Sequence, residues 1–157
     1  MMQARLEGGL AMRPMHLLAA AALALAAALP AAGSGFMRTG DLRVHFNALP
    51  TTELTPEVAR QYGVTRSANR ALVNVSIRRG EQGADEAVAA QVTVSATNLV
   101  GQRQDVRMRE VRDGDALYYL GEARVTGQDT LTFTLEVRIE GEAQPMTAVF
   151  RQEFFPQ

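Results

Sequence analysis

From Thr130 to Ile139 the chain alternates without a break: Leu131, Phe133, Leu135, Val137 and Ile139 are apolar, and Thr130, Thr132, Thr134, Glu136 and Arg138 separate them. A period of two belongs to a strand with one buried and one wet face, because successive side chains of extended backbone point to opposite sides. This stretch is therefore part of a sheet whose apolar face must be covered by another layer.

The same pattern recurs along most of the sequence. Leu42, Val44, Phe46 and Ala48 share one face of a first strand. Val73, Val75 and Ile77 share a face of a second, with Asn74 and Ser76 opposite. Val88, Ala90, Val92, Val94 and Ala96 make a third, bounded by turn residues at 83–85 and 98–101. Val106 and Met108 belong to a fourth, which runs to Asp113-Gly114, a pair that favours a tight hairpin because both residues tolerate positive φ. Ala116–Val125 is the fifth, apolar on both faces at Leu117-Tyr118-Tyr119-Leu120; the alternating stretch above is the sixth; Met146–Phe155 is the seventh. Regular strands separated by turns predict a mainly β fold, an antiparallel immunoglobulin-like β-sandwich of about seven strands. A flattened barrel is the alternative, since strand number alone does not separate the two.

One segment breaks the pattern. Thr55 is a helix-capping residue, Pro56 suits a first helical turn, Glu57 complements the positive helix end, and Gly63 closes the segment. These signals predict one short helix near residues 56–62. Val58 and Tyr62, four apart, give it a face that can close over an open end of the sandwich.

The first 33 residues read as a leader. Arg13 precedes an uncharged Ala- and Leu-rich run, Leu17–Ala32, which ends in the small residues Ala31-Ala32-Gly33. That is the make-up of a cleaved secretory signal peptide, and the run falls short of the roughly 20 apolar residues a spanning helix needs. Cleavage after Gly33 leaves residues 34–157 as a single exported domain, placed in the periplasm of a bacterial envelope, with no stable membrane span. There is no cysteine in the chain, so packing alone must hold the product together. All 16 basic residues are arginine, against 17 acidic ones. A nearly neutral domain exerts no long-range pull on nucleic acid.

Chemistry is thinly represented. His45 is the single histidine beyond the leader, and alternation turns it away from the core side of its strand, as a solvated residue or part of a ligand site. With one histidine and no cysteine there is no metal motif, no cofactor fingerprint and no catalytic triad. Glu110, Asp113 and Asp115 cluster, but Arg107, Arg109 and Arg112 interleave with them as on a solvated face. The polar stretch Thr65-Arg66-Ser67-Ala68-Asn69-Arg70 offers two guanidiniums four residues apart. They can hold a carboxylate or phosphate, or they can tie the helical segment to the sheet through carbonyls and Glu53 or Glu57. Tyr118 and Tyr119 occupy adjacent strand positions, so one ring faces in and the other is a contact residue. The candidate ligand-binding residues are thus His45, Arg66, Arg70 and Tyr119.

Several segments together resemble a known family. Val44-His45-Phe46-Asn47-Ala48, Leu54–Ala59, Tyr62–Ser67, Asn69–Ile77, Thr97–Gln102, Asp115–Tyr119 and Phe150–Phe155 occur here in the order found in proteobacterial envelope proteins called domain of unknown function 4426. The resemblance spans the whole chain after the leader and implies an exported, single-domain, mainly β protein. It carries no catalytic or ligand residues with it. This chain departs from the pattern at Arg107-Met108-Arg109, where a Leu-x-Phe run is usual, which implies a more exposed fourth strand. The expectation is a periplasmic, non-catalytic binding or interaction module that contacts another envelope protein or peptidoglycan-related material through an edge strand or the Arg66/Arg70 region. The alternative is a small anionic-ligand binder with its site near Arg66 and Arg70, and an enzyme ranks last.

Overall fold

The computed structural model describes residues 34–155, and the leader assigned to residues 1–33 lies outside them. The strands in chain order are β1 (Ser34–Thr39), β2 (Leu42–Pro50), β3 (Arg70–Arg79), β4 (Glu86–Ala87), β5 (Gln91–Thr97), β6 (Arg103–Val106), β7 (Arg109–Asp113), β8 (Ala116–Arg124), β9 (Asp129–Arg138) and β10 (Met146–Phe154). A 3-10 turn at Thr51–Glu53 and a helix, α1 (Pro56–Gln61), link β2 to β3. Two antiparallel sheets form a sandwich. The first has the order β1-β2-β3-β8-β7, with β4 added to β3, and the second has the order β10-β9-β5-β6.

The core lies between the sheets and is built from the inward sets read off the alternation. Val44, Val73, Val75, Ile77, Phe133, Leu135 and Val137 are almost completely buried. Phe133 stacks on Phe150 at 4.9 Å, and Phe150 reaches Phe46 of the opposite sheet at 4.9 Å. This contact ties the second sheet to the first.

The strand tally exceeds seven for two reasons. β1 adds an edge to β2, and its Gly35 lies opposite Phe46, where a Cβ would come within 2.7 Å of the ring. The other reason is that two predicted strands each cross between sheets. The third begins as β4 on β3, stays attached through Val88 N–H donating to the Ile77 carbonyl, and becomes β5 in the second sheet from Gln91. The fourth divides at Arg107-Met108, with β6 pairing β5 and β7 pairing β8. Gly121 of β8 makes that second crossing possible, since a Cβ there would sit 2.5 Å from Met108 Sδ and 2.7 Å from Val106 Cγ1. The seventh strand ends one residue earlier than expected, at Phe154.

The helix forms as its signals predicted, with Thr55 Oγ1 accepting from the Val58 N–H. Its position differs from the expectation. It covers the outer face of the first sheet, where Leu49, Leu72 and Leu120 point away from the sandwich core and pack with Leu54, Ala59, Tyr62 and Val64. Three apolar outward side chains on adjacent strands need a lid, and this requirement outweighs closure of an open end.

Phe133→Ala should cost about 3–5 kcal/mol through lost transfer energy and the cavity left behind. Its neighbour Thr134 faces solvent, so Thr134→Ala should change stability by less than about 1 kcal/mol. Urea midpoints of the two variants measure the contrast, and equal midpoints would reverse the assigned register.

Candidate functional site

Of the four candidate residues, His45 and Arg70 lie on the outer side of the first sheet, Arg66 on the loop after α1, and Tyr119 faces the core. His45, on β2, stands opposite Phe36 of β1 and Ser76 of β3. The Phe36 ring lies near-parallel to the imidazole at 6.0 Å. Two residues along each strand, Arg43 and Arg78 face each other across β2 and β3 and converge on Asp85, at 2.5 Å and 3.1 Å. Arg78 also donates to the Asp85 carbonyl at 2.7 Å. The loop between β3 and β4 is thereby latched down onto the sheet. Partial desolvation and the positive charge of Arg43 hold the His45 imidazole below its ordinary pKa, with Asp85 pulling the other way. For Asp85 itself desolvation acts upward, but the hydrogen bonds and charges of Arg78 and Arg43 prevail and keep the carboxyl low.

Arg66 and Arg70 do not converge on a common space. The Arg66 guanidinium donates to the Thr52 carbonyl at 3.1 Å, and Arg70 pairs with Glu122 of β8 at 2.6 Å. The other Glu122 oxygen accepts from the Thr65 N–H at 3.2 Å. Thr51, wholly buried, both donates to the Ser67 carbonyl and accepts from the Ser67 N–H. These contacts fasten the loop after α1 to the sheet. The partners are Thr52 and Glu122, not Glu53 or Glu57. Neither Thr51 nor Glu122 stood out in the sequence, because their partners lie 16 or more residues away and no local pattern joins them.

Tyr119 is the inward ring of its pair. The ring is buried, and its hydroxyl accepts from the Ala90 N–H at 2.8 Å and donates to Glu110 at 3.2 Å, pinning the crossing that leads into β5. Tyr118 points the other way, under α1, where it meets Tyr62 edge-on. Both rings therefore pack within the chain. The charged run on β7 is also engaged: Arg109 donates to the Tyr62 carbonyl and Asp113 accepts from the Tyr62 hydroxyl at 2.8 Å. An open depression of about 550 Å³ lies elsewhere, on the second sheet beside the end of β6, lined in part by Thr93, Ser95, Arg103, Asp105, Thr134 and Glu136. None of the four candidates lines it.

The most exposed apolar side chains sit on a hairpin. Leu99 and Val100, between β5 and β6, are 68% and 79% exposed. The turn that carries them is fixed: Gly101 N–H donates to the Asn98 carbonyl at 3.0 Å, and the Asn98 Oδ1 accepts from Gln102 N–H at 2.8 Å. The Asn98 and Gln102 side-chain amides bond at 2.9 Å. Gly101, at φ +83°, supplies the left-handed residue that such a three-residue loop requires.

A family model for the domain of unknown function DUF4426 matches residues 36–157. The chain belongs to the DUF4426 family. A crystal structure of a DUF4426 protein from Pseudomonas aeruginosa PAO1 is 35% identical to it, with a TM-score of 0.66, and the match covers 80% of this chain and 97% of that one. Two structures of FetP from uropathogenic E. coli strain F11, one as isolated after expression in the periplasm of E. coli BL21(DE3) and one a copper-bound variant, resemble the DUF4426 chain at 13% identity and a TM-score of 0.53. They cover 80% of it, and 95% and 97% of their own lengths. At that identity the likeness concerns the fold. No curated protein matches the chain.

Two predictions follow from the contacts around α1 in this DUF4426 protein. Changing Arg66 and Arg70 together to Gln should lower stability by about 1–2 kcal/mol, the exposure of Arg70 limiting what its ion pair contributes. Thermal melts with a panel of carboxylates and phosphates should show no shift in either protein; a shift in wild type alone would restore the anion site. The second concerns Tyr62, whose phenol is pushed up to about 12 by desolvation and then by the hydrogen bond to Asp113. A raised phenol pKa means that its contribution is complete below about pH 10, the usual tyrosine value, and is lost as pH rises through about 12. Tyr62→Phe should cost about 1 kcal/mol at neutral pH. Urea melts should show wild type and variant converging between those two pH values.

Proposed function

We propose that this DUF4426 protein is an exported, non-catalytic interaction module of the bacterial envelope, and that the hairpin between β5 and β6 is its contact element. The leader composition supports export, and among the described residues no helix is long and apolar enough to cross a membrane. The observation that carries the reading is the hairpin tip. Turns ordinarily carry polar residues, Gly or Pro, whereas this one holds Leu99 and Val100 out from the sandwich on a loop stiffened by the Asn98–Gln102 bonds. A preordered apolar tip loses little conformational entropy when a partner covers it, which favours recognition of a protein surface with a matching apolar recess.

The other readings have less support. Both guanidiniums of the anion-site alternative are directed at groups within the chain. Copper is bound by a variant of FetP, but at 13% identity the likeness carries no donor set over to this chain. His45 is the single histidine among the described residues, cysteine is absent, and no group of three or more His, Asp or Glu side chains there is placed to hold a metal ion.

A photo-crosslinking residue at Leu99 or Val100, compared with one at Thr134 on the solvent face of β9, tests the reading in the native envelope. The hairpin positions should yield a discrete adduct and Thr134 should not. Leu99→Ser with Val100→Ser should keep the wild-type urea midpoint, since both side chains are exposed, while removing the adducted protein from affinity isolates. Adducts of equal yield from all three positions would refute the assignment.

A further inference from the structure

The second sheet ends in β10, whose outer edge has no pairing strand among the described residues. Two other sheet edges are protected in the usual ways, and the remaining edge of the first sheet, β1, is shorter than β10, six residues with Arg38 as its one charge. β6 is four residues long and carries Arg103 and Asp105, and β7 is five long with four charged residues. β10 is nine residues long and its first five, Met146-Thr-Ala-Val-Phe150, are uncharged. A long, uncharged edge is what soluble β-proteins ordinarily avoid, because its free N–H and C=O groups invite another strand. Val149 on its outer face is 67% exposed, and Phe155 just beyond its end is 55% exposed.

Two further observations lie on this strand. The Gln152 Oε1 is shielded from water and has no hydrogen-bond partner. Arg151 and Glu153 flank Gln152, share the outer face and are exposed. Arg151 makes no ion pair among the described residues, and the Glu153 carboxylate accepts one long bond, from Gln128 at 3.3 Å. Opposite charges two residues apart on one face form a self-complementary pattern, since an antiparallel copy centred between them sets each charge against its opposite.

We propose that two copies of this chain associate edge to edge through β10, antiparallel about a two-fold axis at Gln152. In that register Arg151 lies opposite Glu153 of the partner subunit, and Glu153 opposite Arg151 of the partner subunit. Val149 lies opposite Phe155 of the partner subunit, so both exposed apolar side chains gain a cross-strand neighbour. The two Gln152 side chains flank the axis, each with its Nε2 donating to the Glu153 carbonyl of its own strand at 2.8 Å. Other registers do worse. Centring on Arg151 or on Glu153 sets like charges directly opposite, and centring on Phe150 pairs Arg151 with Val149 and leaves Phe155 unmatched. The four-stranded sheets would then form one eight-stranded sheet. An interface confined to a strand edge falls at the low end of specific contacts, below about 1,200 Å², so the dimer is reversible and forms in the micromolar range.

Sedimentation equilibrium of the processed protein, from about 1 to about 500 μM, reads the association, with magnitudes set by the cost of like charges directly opposed. Wild type should show a monomer–dimer equilibrium. Arg151→Glu alone and Glu153→Arg alone should each weaken it at least about tenfold, since each places like charges opposite twice per dimer. The double variant Arg151→Glu/Glu153→Arg should recover affinity to within about threefold of wild type. Mixing the two single variants, one acidic at both positions and one basic at both, should yield a heterodimer. A wild type that stays monomeric throughout would overturn the proposal. So would a dimer that is indifferent to the single changes, or a double variant and mixture that fail to recover.

Discussion

The contact of Phe150 with Phe133 on one side and Phe46 on the other is what the sandwich depends on. There is no disulfide to link the sheets, so their separation and alignment are set by the side chains that fill the space between them. Phe133 has no exposure, stacks on Phe150 with its plane inclined by 16°, and meets Phe154 edge-on at 6.4 Å. Phe46 brings the first sheet into the same group, and Gly35 of β1 is bare because the Phe46 ring occupies the place of a side chain. A close-packed interior of this kind transmits misfit instead of absorbing it, so the edge strands β1 and β10 are positioned by the aromatic group as firmly as the central ones.

With the core settled, the outer surfaces divide into latched and unlatched regions. On the first sheet, α1 and its following loop are held by Thr51, Glu122, Arg109 and Asp113, and the loop before β4 is held by Asp85 between two arginines. Such contacts contribute modestly to stability because most are partly solvated. Their effect is directional, in that they give loops without secondary structure a single resting place. The hairpin at 98–102 and the outer edge of β10 are different. There the backbone is ordered, yet Leu99, Val100 and Val149 point to solvent.

The inward residues were legible in the sequence strand by strand, and so was the helix, because each signal is local. The candidate site was much less legible. Arg66 and Arg70 stood out as a pair four residues apart, but one reaches back to Thr52 and the other across to Glu122, 52 residues ahead. His45 was placed correctly on the outer side of its strand, yet nothing local indicated that the carboxylate beside it would be Asp85 from a loop 40 residues on. Leu99 and Val100 were seen as turn residues. Their exposure follows from the G1-type loop that Gly101 permits, and that feature was readable in the Asn-x-x-Gly spacing had the apolar pair been weighed as surface.

By itself the sequence determined which side of each strand faces the core, where the helix starts and stops, and that the protein must be held by packing. Only the tertiary structure decided which strands share a sheet, where the chain crosses between sheets, and which edges stay open. The physical reason is that both sheets face one core. A strand crossing from one to the other, as at Val88–Ala90 and Arg107-Met108, keeps its apolar side chains inward and its period of two unbroken. Sheet membership is set by backbone hydrogen bonds, whose donors and acceptors are the same for nearly every residue, so side-chain periodicity holds no record of it. The placement of α1 shows the same division. Its capping residues lie within nine positions of one another, but the outward leucines it covers come from β2, β3 and β8, which only folding brings side by side.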